Sequence, residues 1–146
     1  FCYDYTLRTF AYIKFPTMTK CEINQQVRTI DFMPTILDIL EIELDQKFKK
    51  LDGESLLPLL NGKNSTEKFA YSETGNPLNG TRPPEKPNTF SIRTSKWKFI
   101  YNEYNDSKEL YDLEQDVYEK NNLAGTGNEI EEHLSQKLSE IRNVQH

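Results

Sequence analysis

The sequence has little of what marks membrane proteins and nucleic-acid binders. Its longest apolar runs cover only a few residues, as in SLLPLL at 55–60, whereas a membrane-spanning helix needs about 20. Its 18 lysines and arginines are outnumbered by 23 acids and form no basic stripe. A nucleic-acid binder needs such a clustered cationic face. We therefore expect no membrane span and no nucleic-acid partner.

Cysteine is also scarce, with Cys2 and Cys21 as the only two. A disulfide between them is possible in an oxidising compartment, and two free thiols are the alternative, which we favour. Three sequons, at Asn64, Asn79 and Asn105, matter only if the protein enters a glycosylating pathway.

The chain opens with FCYDYTLRTFAYIKF, inside an apolar run, without a methionine or a recognisable signal peptide. We interpret it as a piece of a longer protein. Its 146 residues suffice for one domain, and 36% of them are hydrophobic.

Hydrophobic periodicity predicts short elements along most of the chain. Asp31 is a candidate N-cap for a helix over about 32–42, whose apolar rows are Phe32, Ile36, Leu40 and Met33, Leu37. Strands are predicted at 5–15, with one buried face, at 69–73 and at 108–113, with a strand stub at 27–30 and a hairpin at 90–102 that turns around Thr94-Ser95. A short helix is predicted in ESLLPLLNG, stopped by Asn61-Gly62. A last helix is predicted after the N-cap Asn128, with one apolar face formed by Ile130, Leu134, Leu138 and Ile141.

This order predicts an α+β fold: a small antiparallel sheet with helices packed on one face and a C-terminal helix closing it. Residues 74–89, TGNPLNGTRPPEKPNT, are predicted to form a long exposed loop.

Motifs for chemistry are mostly missing. The sequence contains no phosphate-binding glycine loop, no nucleophile elbow and no C-x-x-C pair, and we expect its two histidines, His133 and His146, to face solvent. The alternating acids Asp112, Glu114 and Asp116 begin like a calcium loop but lack its glycine and bidentate glutamate.

The structural interpretation of ELYDLEQDVYEKNNLAG at 109–125 is therefore favoured. Leu110 and Leu113 point inward, Asp112 and Asp116 cap turns, and Leu123 anchors the exit. We predict no catalytic residue and no metal ligand in the chain.

Four segments, in order, nevertheless resemble one family. VRTIDFMPTILDILEI resembles the segment after the last catalytic-domain strand of sulfatases, and DGESLLPLLNG resembles their D-G-x-S-L-x-P-L-L element. SIRTSKWKFIYN resembles their R-T-x-x-x-K-(F/Y)-I strand pair, and ELYDLEQDVYEKNNLAG resembles E-L-Y-D-L-x-x-D-P-x-E-x-x-N-L. The family is the type I sulfatases, within the alkaline-phosphatase-like superfamily. Val117 stands where its signature has proline, and LRTFAY where its strand has Arg-Val-Pro.

The resemblance implies that residues 1–62 are the end of an α/β catalytic domain, with a strand, a helix and a short helix. Residues 63–146 would be a C-terminal antiparallel-sheet subdomain with a terminal helix. The parent enzyme would use calcium and a formylglycine made from a C/S-x-P-x-R motif. Neither Cys2, in CYDYT, nor Cys21, in CEINQ, fits that motif, so the resemblance implies no cofactor in this chain. Secreted, periplasmic and lysosomal locations are all typical of the family, and a cytoplasmic one stays open.

The expected function is therefore that of a C-terminal fragment of a sulfatase-like hydrolase. It would support the N-terminal catalytic domain of the same parent chain, and it could self-associate through its exposed interface. Loop 74–89 could wall the substrate cleft, with Arg82 and Lys86 meeting an anionic substrate, although ordinary surface charge is the alternative. Two other functions stay open: a fragment of a superfamily phosphatase, phosphodiesterase or phosphoethanolamine transferase, or a non-catalytic binding module.

Overall fold

The computed structural model describes residues 2–14, 21–45, 51–63, 66–75 and 85–145. The chain divides into two compact units, Phe1–Tyr12 with Phe69–His146 and Ile13–Lys68. The predicted boundary between residues 62 and 63 concerns domains of a longer protein and stays a prediction.

The first unit is built on a four-stranded antiparallel sheet in the order β1-β2-β3-β4. The strands are β1 Ala70–Thr74, β2 Thr89–Arg93, β3 Trp97–Asn102 and β4 Ser107–Asp112. Thr94 closes the β2–β3 turn, since its N–H donates to the Trp97 carbonyl at 2.8 Å. The predicted strands at 69–73 and 108–113 are confirmed, as is the hairpin at 90–102 with its turn around Thr94-Ser95.

Helix α4, Glu129–Gln145, packs on one face of this sheet. Asn128 caps it as predicted, because its Oδ1 accepts the Ile130 N–H at 3.1 Å. The predicted apolar face is also confirmed: Leu134 and Leu138 are buried, with Ile130 and Ile141 packed around the same core. The strand residues of that core are Phe90, Ile92, Phe99 and Leu110. The α+β prediction is therefore confirmed.

The second unit contains a 3-10 turn at Thr29–Asp31, helix α2 at Phe32–Ile39 and helix α3 at Leu57–Leu60. As predicted, Asn61-Gly62 stops helix α3 after Leu60: the Gly62 φ of 75° suits glycine, and its N–H donates to the Leu59 carbonyl. At Gly53, an added Cβ would lie 1.9 Å from the Ile30 carbonyl oxygen. Only glycine therefore allows this close backbone approach.

Three local predictions are wrong. The predicted strand at 5–15 is replaced by the helical turn α1, Asp4–Leu7, and 8–14 belong to no strand. Its alternating pattern predicts a strand only where a neighbouring strand supplies hydrogen bonds. The stub at 27–30 runs into the 3-10 turn, and α2 ends three residues before 42. Phe15 and residues 76–84 of the predicted loop lie outside the described residues.

The predicted N-cap role of Asp31 is also wrong. Its side chain makes no cap hydrogen bond to α2, because the carboxylate instead accepts the N–H groups of Arg28 and Glu54. The rows predicted on α2 are also not its buried face, since Thr35 is the buried residue of the helix.

Candidate functional site

Four charged residues meet on the sheet face opposite α4, and we call Asp4, Arg93, Lys98 and Glu119 the charged cluster. The Lys98 ammonium is fully buried, 2.7 Å from Asp4 Oδ1 and 2.8 Å from Glu119 Oε1. Arg93 donates from Nε and Nη2 to the Asp4 carboxylate at 3.0–3.2 Å. The Asp4 N–H donates to Glu119 Oε2 at 2.7 Å. With two acids and two bases, the cluster is formally neutral.

Strand geometry explains why these side chains meet. Lys98 alternates with Trp97 and Phe99, so it points away from the α4 core. The β2–β3 register sets Arg93 directly opposite Lys98. Glu119 reaches them from the segment after β4 with a φ of 53°, a conformation that costs a non-glycine residue about 1–3 kcal/mol. This conformation brings the Glu119 carboxylate to the Lys98 ammonium and to the Asp4 N–H.

Burial alone would raise the pKa of the Asp4 carboxyl. The hydrogen bonds from Arg93 and Lys98 outweigh burial and hold this pKa below its usual value. Each cation of the cluster already faces a carboxylate, so the arrangement suits positioning of the chain better than capture of an anionic substrate.

Glu109 organises a second polar network on the same face. Its carboxylate accepts the hydroxyls of Tyr3 and Tyr111, each at 2.7 Å, and the Asn102 Nδ2 at 3.0 Å. Burial, and then the Glu109 carboxylate, raise the pKa of both tyrosines well above the usual value. Both phenols therefore stay protonated as hydrogen-bond donors at neutral pH.

The acidic segment after β4 has the structural role predicted for it. Leu110 and Leu113 are buried, and Asp112 Oδ1 accepts the Glu114 N–H at 3.0 Å. Asp116 Oδ2 accepts the N–H groups of Lys120 and Asn121, each at 2.7 Å. Within the described ranges, no group of three or more histidine, cysteine or acidic side chains is arranged to hold a metal ion.

Asn122 covers the outer edge of β4. Its Oδ1 accepts the N–H groups of Leu110 and Ala124, each at 2.9 Å, and its Nδ2 donates to the Lys108 carbonyl at 3.1 Å. Leu123, predicted to anchor the exit, does so by donating its N–H to the Leu110 carbonyl at 2.8 Å and by packing on the core. An edge strand covered in this way offers no free template to another chain.

In the second unit, Asp31 is the corresponding centre and is fully buried. Its carboxylate accepts Arg28 Nη2 at 2.7 Å, the Arg28 N–H at 3.0 Å and the Glu54 N–H at 2.9 Å. Burial raises its pKa, but these donors outweigh burial and lower it. Thr35 Oγ1 accepts the Leu56 N–H at 2.8 Å. These bonds tie α2 to the segment that leads into α3.

The described structure does not test the predicted substrate-proximal residues. Arg82 lies outside the described residues, and Lys86 is exposed just before β2. Their proposed role therefore stays a prediction. His133 is exposed, as predicted, with its ring 6.1 Å from that of Phe69, and His146 lies outside the described residues. Both cysteines are free thiols, Cys2 buried and Cys21 exposed.

The sequence patterns assign no role to the charged cluster, although three of its four residues belong to family patterns that the sequence shows. Arg93 and Lys98 are fixed letters of the R-T-x-x-x-K-(F/Y)-I pattern, and Glu119 is the later glutamate of the signature segment. A lysine inside the apolar strand WKFIYN was the signal that a buried counter-charge was needed. Asp4 carried no such signal.

The geometry defines an α+β domain, in which a four-stranded antiparallel sheet carries a C-terminal helix on one face and a buried polar network on the other. The sequence matches the family described as N-sulphoglucosamine sulphohydrolase, C-terminal, over residues 1–144. The chain therefore belongs to this sulfatase C-terminal domain family, and the resemblance to type I sulfatases is confirmed.

Relatives agree with this assignment. The chain is 33% identical over 136 residues to human arylsulfatase K, covering 84% of this chain and 23% of that protein. It is 34% identical over 99 residues to choline-sulfatase of Rhizobium meliloti (strain 1021), covering 65% of this chain and 17% of that protein.

A solved structure of a protein in complex with its substrate D-glucosamine-2-N,6-O-disulfate is 30% identical, with a TM-score of 0.59, covering 77% of this chain and 23% of that one. The chain thus spans about a fifth of the length of the relatives it matches.

Proposed function

We propose that this chain is the C-terminal part of an enzyme that hydrolyses sulfuric esters, and that it supports the catalytic domain without being catalytic alone. The observation that carries this proposal is the family match over residues 1–144, combined with coverage of only 17–23% of the relatives' length. In the longer protein, residues 1–62 would be the end of the catalytic domain and 63–146 the C-terminal subdomain.

Exposed apolar residues on α2 and the turn after it favour a role in packing against the catalytic domain. Met33, Ile36, Leu40 and Ile42 are 59%, 46%, 60% and 50% exposed. A globular helix normally buries its apolar stripe, and clustered exposed apolar residues mark interaction surfaces. We infer that the catalytic domain of the same protein covers this surface.

The catalytic groups would lie in that domain. A formylglycine and a calcium ion are the groups that the sulfatase resemblance implies, and the described residues offer neither the precursor motif nor a metal-binding cluster. Residues of this chain would therefore act by holding the fold and the entering chain in place.

The proposal is tested by measuring sulfate release by the longer protein and by the 146-residue chain at equal concentration. D-Glucosamine-2-N,6-O-disulfate is the first probe, because it is the substrate named for the solved relative. Phosphate monoesters and diesters serve as competing probes. We expect sulfate release by the longer protein and none by the chain. Faster phosphate-ester hydrolysis would instead support the phosphatase or phosphodiesterase alternative.

The role of loop 74–89 is a finer proposal that the same assay can test. If Arg82 and Lys86 meet the anionic substrate, Arg82→Ala and Lys86→Ala in the longer protein should raise KM. Lys63→Ala, which removes another exposed cation, is the matched control. A KM unchanged across substrates for both loop variants would reject this role.

The exposed α2 surface also predicts that the isolated chain self-associates. Sizing at increasing concentration should show larger species, and the double variant Met33→Gln/Leu40→Gln should shift them toward monomer. Val144→Gln, at a residue 79% exposed on α4, should change nothing. A chain that stays monomeric at all concentrations would argue against an uncovered interface.

A further inference from the structure

The first residues of the chain lie against the sheet of the first unit, far from it in sequence. Cys2 is buried in a cluster with Ile100, Tyr111 and Leu113. Tyr3 donates its hydroxyl to Glu109. Asp4 joins the charged cluster through Arg93, Lys98 and Glu119, which lie 89, 94 and 115 residues later in the sequence. The entering segment is thus held at three consecutive positions.

Of these contacts, only that of Asp4 depends on matching charge. Without Asp4, the sheet side of the cluster holds Arg93, Lys98 and Glu119, with one positive charge in excess. One carboxylate therefore completes its neutrality, and two polar contacts fix how that residue is oriented: the carboxylate on the cations and its N–H on Glu119.

Buried ion pairs add little net stability, because desolvation consumes most of the Coulomb attraction. Breaking one of them is costly, since the remaining charge is left buried without a partner. A neutral buried cluster therefore selects one arrangement of the segment more than it strengthens the fold. Apolar burial of Cys2 holds the segment down but does not select its orientation in this way.

We propose that Arg93, Lys98 and Glu119 form an anchoring site for the carboxylate of Asp4, which orients the chain entering this domain and, through it, the catalytic part that precedes residue 1. These four residues are positioning residues, since none is placed in contact with substrate. The inference rests on the proposed function for its effect on catalysis, but not for the anchoring itself.

Anchoring is tested by amide hydrogen exchange on the 146-residue chain carrying Asp4→Asn. The N–H groups of Asp4, Thr6, Leu7 and Arg8 are all hydrogen-bonded in the structure. Their exchange should accelerate at least about tenfold, while amides of β2 and β3 stay within about twofold of the unchanged chain. The matched control is Glu114→Gln, which removes an exposed carboxylate paired with Lys96. Unchanged protection at residues 4–8 would overturn the proposal.

Charge matching is tested by a rescue. Lys98→Met leaves two carboxylates facing one cation, so the segment should lose its protection. The double variant Lys98→Met/Glu119→Gln leaves Arg93 with Asp4 and restores neutrality, while the glutamine carbonyl can still accept the Asp4 N–H. We expect the double variant to regain at least about tenfold protection over Lys98→Met, about 1.4 kcal/mol. A double variant no better protected would contradict charge matching, even if Lys98→Met alone unfolds.

Orientation of the catalytic part is tested in the longer protein. Asp4→Asn should lower kcat more than it raises KM, and Asp4→Glu should restore part of kcat, while Glu114→Gln leaves both unchanged. An unchanged kcat beside accelerated exchange would reject the catalytic role of the anchor. Failure of the unchanged longer protein to release sulfate would instead reject the proposed function, and the exchange result would still stand.

Discussion

Replacing Asn122 with alanine is the sharpest test of how the sheet is held together. The side chain makes three hydrogen bonds along the outer edge of β4, two accepted by Oδ1 and one donated by Nδ2. One of its partners is the N–H of Leu110, a residue that is fully buried. In Asn122→Ala that N–H loses the side-chain acceptor that covers it.

The magnitude follows from these three bonds. A buried donor left unsatisfied costs about 1–3 kcal/mol, and each of the two more exposed bonds contributes about 0.5–1 kcal/mol. The free energy of unfolding should therefore fall by about 2–5 kcal/mol. For a chain of 146 residues, this corresponds to a Tm lowered by about 7–16 °C. Asn122→Asp keeps the acceptor and loses only the donor, so its cost should be about 1 kcal/mol.

The assay is thermal and urea unfolding followed by fluorescence of Trp97, the only tryptophan and a residue of β3. Asn121→Ala is the matched control, because this exposed neighbour contributes its backbone N–H, not its side chain, to the Asp116 cap. It should change stability by less than about 0.5 kcal/mol. Equal effects of Asn121→Ala and Asn122→Ala would refute the claim that the asparagine side chain covers this edge.

Three further predictions concern the pH dependence, the core and the thiols. Because the folded-state pKa of Asp4 is lowered, its contribution to stability is fully present above about pH 3.9 and is lost as the pH falls through the folded-state pKa. Urea titrations from pH 7 to 2 should therefore show a smaller acid loss of stability for Asp4→Asn than for the unchanged chain. An equal loss in the two proteins would contradict this prediction. Leu134→Ala should lower the free energy of unfolding by about 2–5 kcal/mol, because the side chain is fully buried between α4 and the sheet. The control Val144→Ala, on the exposed side of α4, should lower it by less than about 0.5 kcal/mol. Similar urea midpoints for the two variants would count against the assigned core. Burial raises the pKa of the Cys2 thiol. An alkylating reagent should therefore modify Cys21 rapidly in the native chain and Cys2 only on unfolding. Early modification of Cys2, detected by mass spectrometry, would contradict its buried position.

The strands and α4 could be predicted because their signals are local. Alternation in FSIR and WKFIY, with a turn at Thr94, leaves one antiparallel pairing. The i, i+4 spacing of Leu134 and Leu138 identifies the buried face of α4. The capping roles of Asp112 and Asp116 also follow from short-range rules. All of these depend on neighbours within a few residues.

The entering segment could not be predicted, because its contacts are non-local. Asp4 binds Lys98 across 94 residues, and no spacing rule connects two such positions. The local pattern around it indicated a strand instead, although Phe10 and Tyr12 are in fact about 90% exposed, at 92% and 86%. Asp31 shows the same limit: an aspartate before a helix indicates a cap, but the N–H of Glu54 and the side chain of Arg28 bind it first.

The central claim is that this chain is the C-terminal part of a sulfatase whose active centre lies in the sequence before it. Reconstitution tests it most directly: sulfate release from D-glucosamine-2-N,6-O-disulfate is measured for the preceding part alone, for this chain alone and for the two mixed. The account predicts no release by the chain, weak release by the preceding part, and release that rises with added chain until the two are equimolar. Sulfate release by the purified 146-residue chain alone would contradict it.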